Sequence, residues 1–241
     1  MGRKGEGIEE FARLGVDFAA PQPEAVTQLL AAQEAEEVAL RLTLAGRIGA
    51  LAGLLRRLDP AAELPLALRC ATCGEGMEAA LPLTAIVEMA EAAEAQPVLS
   101  LPRPEGGTLR LRRPTGEDQR LWRARAYADE TEAALSICAS LLLDPAPLDE
   151  ADLPALGEAM AEADPLPGFH IGATCPACGA AAEAALDLEA ALLAQFAQHQ
   201  RALLDEVHLL ASRYGWTEAE ILAVPPHRRR AYLTRIGEAM A

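Results

Sequence analysis

The chain has 241 residues, enough for one large domain or two small ones with a real buried core. Alanine and leucine dominate an apolar half (51%) in which aromatics are only 4%, a composition that favours helices. With 21 basic against 36 acidic residues the formal net charge is −15, which argues against a nucleic-acid-binding surface spread over the whole protein and favours protein partners. No apolar run approaches the roughly 20 residues of a membrane helix. Arg3 and Lys4 are not followed by the apolar core of a signal peptide, so a cytoplasmic protein is expected. In that reducing compartment five cysteines speak for metal or redox chemistry rather than for a disulfide framework.

In chain order, residues 1–60 read as an N-terminal helical segment. It begins with a short docking stretch in which Ile8, Phe11, Leu14 and Phe18 recur at helical spacing. Residue types over 24–58 predict one or two helices ended by Asp59-Pro60, although 38–44 alternates in the manner of a strand and Gly46, Gly49 and Gly53 weaken a long uninterrupted helix. Residues 64–69 and 77–83 predict short strands around a first turn, and 84–95 a helix. The Pro- and Gly-rich stretch 96–107 reads as a loop and 108–113 as a strand. Thr115 is placed to cap a helix whose first turn carries Glu117 and Asp118. Helices are expected over 119–143, with a break, and over 150–163, so that 85–167 forms an α-rich insertion with one strand. A second hairpin follows over 169–188. The strongest helix spans 189–213, with Leu192, Phe196, Leu203, Val207 and Leu210 on one stripe, and Gly215 stops it. Thr217 and Glu220 predict a capping box for a short helix, Pro225-Pro226 a break, and 227–240 a last helix, giving a three-helix unit over 189–241.

The chemistry lies in a repeat. The pattern C-x-x-C-G-x-x-x-E-A-A-L-x-L runs from Cys70 through Cys73 and Gly74 to Leu83, and again, 105 positions later, from Cys175 through Cys178 and Gly179 to Leu188. Two residues between cysteines let the backbone fold round an ion with both sulfurs inward, and the following glycine takes the left-handed conformation that the turn needs. One such pair is a weak signal, whereas two inside a longer matched repeat predict one zinc site with Cys70, Cys73, Cys175 and Cys178 as ligands. Three rival readings are weaker. A thioredoxin-like motif sits at a helix N-terminus, not between two strands. Two separate zinc sites lack further ligands, and intrapair disulfides need an oxidising compartment. Four thiolates leave no open coordination position, so the predicted ion is structural.

Other chemistry-bearing residues have plainer readings. Cys138 reads as a small core residue. His199 and His208 lack H-E-x-x-H spacing, and His170 reads as a strand-surface histidine rather than as a spare ligand. Glu117 and Asp118 read as helix-start acids, not as a catalytic pair. No phosphate-binding loop, nucleophile elbow or dinucleotide fingerprint is present, so the chain reads as a non-enzyme. The run His227-Arg228-Arg229-Arg230, with Arg235 beyond it, is the one concentrated basic patch, and Trp216 is expected to pack the Gly215 turn onto the long helix.

The segments Cys175-Pro176-Ala177-Cys178-Gly179, Tyr214-Gly215-Trp216-Thr217-Glu218-Ala219-Glu220-Ile221-Leu222 and Arg228-Arg229-Arg230-Ala231-Tyr232-Leu233 together resemble the C-terminal half of the baseplate hub assembly chaperones, or baseplate proteins, of contractile phage tails and related injection systems. The segment from Leu109 to Gln119 also resembles that family's central motif, so the likeness covers about residues 64–241. It implies a non-enzymatic role in assembling or forming a baseplate, with baseplate or hub proteins as partners, in the cytoplasm or on the particle. The first knuckle, Cys70-Ala71-Thr72-Cys73, departs from the second in lacking its proline.

These readings combine into a mainly α-helical α+β protein. Residues 64–84 and 168–188 form a split, zinc-ribbon-like pair of knuckle hairpins that holds one structural zinc ion. The helical insertion and the C-terminal three-helix unit complete the fold. The alternative function is a zinc-ribbon regulator that binds nucleic acid through Arg228, Arg229, Arg230 and Arg235.

Overall fold

A computed structural model of the protein describes residues 15–58, 62–103 and 106–238. Ile8, Phe11 and Leu14, the expected helix end at Asp59-Pro60 and the last expected helical residue, Met240, lie outside the described residues.

The N-terminal region holds three helices where one or two are expected: α1 (Gln22–Ala31), α2 (Glu36–Arg41) and α3 (Leu44–Leu58). The strand-like alternation of 38–44 is overruled, because Glu36 and Glu37 in the first turn and Arg41 in the last complement the helix dipole of α2. Only Thr43, in the bend after α2, makes an isolated antiparallel bridge, to Thr115. The glycines do not interrupt α3. A Cβ on Gly49 would lie 2.5 Å from the Cβ of Ala90 in α4 (Leu83–Glu94), so the missing side chain is what lets the two helices touch. That contact outweighs glycine's intrinsic cost of about 1 kcal/mol in a helix.

These helices form the main core with the first half of α8 (Leu188–Tyr214). Val26, Leu29, Leu51, Ile86 and Leu192 are fully buried in it, each such side chain contributing about 1.5–3 kcal/mol. Phe18 packs against its edge. A buried charge pins the same elements together: Arg47 donates to the carbonyls of Ala39 (3.1 Å) and Pro23 (2.8 Å) and to Thr27 Oγ1 (3.1 Å), and lies 3.6 Å from the Glu189 carboxylate.

The insertion contains two strands, not one. The stretch expected as a loop includes β3 (Val98–Pro102), which pairs antiparallel with β4 (Thr108–Arg112) in the register Leu99↔Leu111 and Leu101↔Leu109. The reason is tertiary. Leu99 and Leu101 close a satellite core with Leu109, Leu111, Cys138, Leu141 and Leu156, while Pro102 stands at the strand end, where its missing N–H is tolerated. Helices α5 (Gly116–Arg123) and α6 (Glu130–Leu141) show the expected break, and α7 (Leu153–Ala163) follows a short 3₁₀ turn. The predicted cap is present, since Thr115 and Asp118 form a reciprocal capping box. Burial works against the charge of Asp118, but Arg112 at 2.6 Å and the Thr115 donors overcome it and hold the carboxyl below the ordinary carboxylate range. Arg113 latches the exit of the insertion, donating to the carbonyls of Gln96 (2.8 Å) and Ala163 (3.0 Å) beside Asp164.

The C-terminal unit consists of the second half of α8, α9 (Glu218–Ala223) and α10 (Pro226–Glu238) around Leu210, Ile221 and Ile236. Gly215 ends α8 at φ +66°, and the Thr217–Glu220 capping box is formed. Among the described residues no helix is long and apolar enough to cross a membrane.

Candidate metal centre

Two separate antiparallel hairpins supply the site. In the first, β1 (Glu63–Arg69) pairs with β2 (Gly76–Pro82), and Arg69↔Gly76 is the last rung before the turn. In the second, β5 (Phe169–Thr174) pairs with β6 (Ala181–Leu186), ending at Thr174↔Ala181. The repeated sequence folds into repeated geometry. Cys70 N–H donates to the Glu75 carbonyl (2.9 Å) and Gly74 N–H to the Cys70 carbonyl (2.8 Å). Cys175 N–H donates to the Ala180 carbonyl (2.9 Å) and Gly179 N–H to the Cys175 carbonyl (2.9 Å). Gly74 and Gly179 sit at φ +75° and +72°, where a side chain is strained.

The two turns face each other. The Sγ atoms of Cys70, Cys73, Cys175 and Cys178 all lie within 4.8 Å of one another, so the four can hold one metal ion. Cys70 and Cys178 are 3.7 Å apart and Cys73 and Cys175 3.6 Å, each pair reaching from one hairpin to the other. A tetrahedral site with metal–sulfur bonds of about 2.3 Å has edges of about 3.8 Å, close to both distances. A disulfide needs about 2.05 Å, and all five cysteines are free. The first cysteine of each pair is buried and the second exposed. Beneath them Leu68 and Met77 of the first hairpin pack against Ile171, Ala184 and Leu186 of the second.

The electrostatics suit a cation. Backbone N–H groups of Cys73 and Thr72 directed at its sulfur draw the Cys70 thiol down to about 6. The Glu75 N–H pulls Cys73 the same way, but the sulfurs of Cys178, Cys175 and Cys70 outweigh it and push that thiol up to about 12. A positive ion among these sulfurs would offset the effect that raises the Cys73 thiol.

Among the described residues this is the only group of three or more His, Cys, Asp or Glu side chains placed to share an ion. His170 is exposed and turns its Nδ1 to the Gly168 carbonyl (2.9 Å), as a strand-surface residue does. His199 and His208 belong to no such cluster. Cys138 is buried in the satellite core, where burial pushes its thiol up.

Comparison with known protein families, curated proteins and solved structures finds no match.

The arginine run is not one patch. Arg229 is buried, its guanidinium 3.3 Å from Glu206 and 2.8 Å from the Val224 carbonyl, which leaves Arg228, Arg230 and Arg235 at the surface. Trp216 packs into the small tail core, as expected. The sequence reading passed over its partners. Tyr214 stacks on Trp216 with ring centroids 4.9 Å apart, and Tyr232 stands edge-on to both at 5.5 and 5.1 Å. One signal was available, because this unit holds three of the five Trp and Tyr residues of an aromatic-poor chain.

Proposed function

We propose that this protein is a zinc-stapled, non-enzymatic assembly factor or minor component of a contractile-tail or injection-system baseplate, acting through contacts with baseplate or hub proteins. The observation that carries the structural part is the closed all-sulfur cluster joining two hairpins 105 positions apart in sequence. Four thiolates satisfy a tetrahedral ion completely, so such an ion supplies folding free energy rather than an open position for substrate. Zinc is the ion best suited to this donor set, with iron another metal that accepts four thiolates. A colourless protein with about one zinc per chain is the expected result of metal analysis, and a red, iron-loaded chain would overturn the zinc assignment. The baseplate setting rests on the resemblance in Cys175–Gly179, Tyr214–Leu222 and Arg228–Leu233.

The test is a tagged pull-down from the native host at moderate salt, with bound proteins identified by mass spectrometry. Recovery of tube, hub or baseplate proteins is expected. Recovery of nucleic acid or polymerase subunits, with affinity falling steeply as salt rises, would support the regulator reading that the exposed Arg228, Arg230 and Arg235 favour.

A further inference from the structure

Within the assembly-factor reading, on which this inference rests, we propose that the corner formed by Tyr214, Trp216, Tyr232, Arg228 and Arg235 is the docking surface, and that it takes a short acidic protein segment carrying an apolar side chain. The rings are already locked against one another, Tyr214 on Trp216 at 23° between planes and Tyr232 edge-on to both. A surface so arranged loses little conformational entropy on binding. Tyr214 is nevertheless 40% exposed, so the cluster presents ring area to a partner instead of closing over it. Trp, Tyr and Arg are the residue types that concentrate binding energy at interfaces.

The charge selects the partner. Arg228 and Arg235 flank Tyr232 on one stripe of α10, and the Arg228 guanidinium lies 3.5 Å from the Tyr232 hydroxyl. Among the described residues no carboxylate forms an ion pair with Arg228, Arg230 or Arg235, whereas the inward Arg229 has Glu206. Residues 1–188 carry the whole acidic excess, 30 acids against 15 bases, while 189–241 balance six against six. A long polyanion such as nucleic acid, laid across this corner, would run on beside the acidic body. A short acidic segment need not extend over that body, whose charges are largely screened beyond about 8 Å at physiological salt. The rings also stack on one another instead of standing apart as successive base platforms.

The experiment is a fluorescence-anisotropy titration of the full-length, metal-loaded chain with three probes: a short labelled peptide of Glu and Leu, its Gln-for-Glu analogue, and a labelled oligothymidylate. Saturable binding of the acidic peptide, weakened about tenfold or more by Arg228→Glu/Arg235→Glu and by Tyr214→Ala, is the expected result. Both arginines are exposed, so unchanged circular dichroism and metal content should show that the double variant is folded. The proposal is overturned by absent peptide binding, by equal binding of the Gln analogue, by variants that bind like wild type, or by tighter binding of the oligonucleotide. Repeating the pull-down with the double variant separates this idea from the one beneath it. Baseplate proteins captured equally by wild type and variant would remove the patch and keep the assembly role, whereas no baseplate protein on the wild type would remove the role itself.

Discussion

The two knuckle hairpins share sequence, turn geometry and thiol pairing, yet the body supports them unequally. In the first, Leu64, Leu66 and Leu68 alternate into buried positions, and β2 runs straight into α4, which lines the main core. In the second, Phe169 and Ile171 are only half-buried, and both faces of β5 keep contact with solvent. The comparison separates two sources of order. Hydrophobic burial is deeper in the first hairpin, while the second, whose Phe169, Ile171 and Leu186 pack only partly buried on the main core, is expected to lean more on the sulfur cluster.

Metal removal should expose this difference most strongly. Structural zinc sites in small domains carry apparent binding energies on the order of 10 kcal/mol. Chelation, or Cys175→Ser, should therefore abolish hydrogen-exchange protection over 169–186 while 63–82 keeps most of its own. Simultaneous loss in both hairpins would mean that their support is equal after all. Side-chain truncation comes next. Leu66→Ala should cost about 2–5 kcal/mol in denaturant unfolding, and Ile171→Ala, starting from partial burial, about 1–2 kcal/mol. Equal losses would break the contrast.

Two smaller effects sharpen what the hairpins share. Gly74→Ala and Gly179→Ala each force a side chain into left-handed backbone, at about 1–2 kcal/mol apiece, and the two penalties should match in thermal melts because the turns do. The smallest effect concerns one of the three sequence differences inside the turns, Ala71 against Pro176. Pro176→Ala should lose, and Ala71→Pro gain, about 0.4–1 kcal/mol through the entropy of the unfolded chain. A destabilising Ala71→Pro would show that the two turns differ in backbone after all.

What could be read from the sequence was local. The matched cysteine pairs, the glycine stop of α8, the cap at Thr115 and the capping box at Thr217 each depend on residues within a few positions, and each is present. What escaped was decided across the chain. Strand β3 exists because Leu99 and Leu101 have β4 to pair with, and Gly49 sits in an unbroken helix because Ala90 presses against it. Arg229 lies in a basic run, yet it points inward because Glu206, 23 positions earlier, meets it there. The baseplate setting was read from motifs alone, and it stays a proposal for the pull-down to decide.

The split site also has a history in time. A ribosome adding about 5–20 residues per second delivers Cys175 some 5–20 s after Cys70, because 105 positions separate them. Throughout that interval the nascent chain presents a two-sulfur half-site on its own hairpin, open to any soft metal or oxidant nearby. The helices of the insertion have that same interval in which to fold before their ends are tied. The second knuckle then reaches the first before α8 has supplied Leu192 and Phe196 to the main core and before the C-terminal unit exists, so a metal site could close ahead of the core it adjoins.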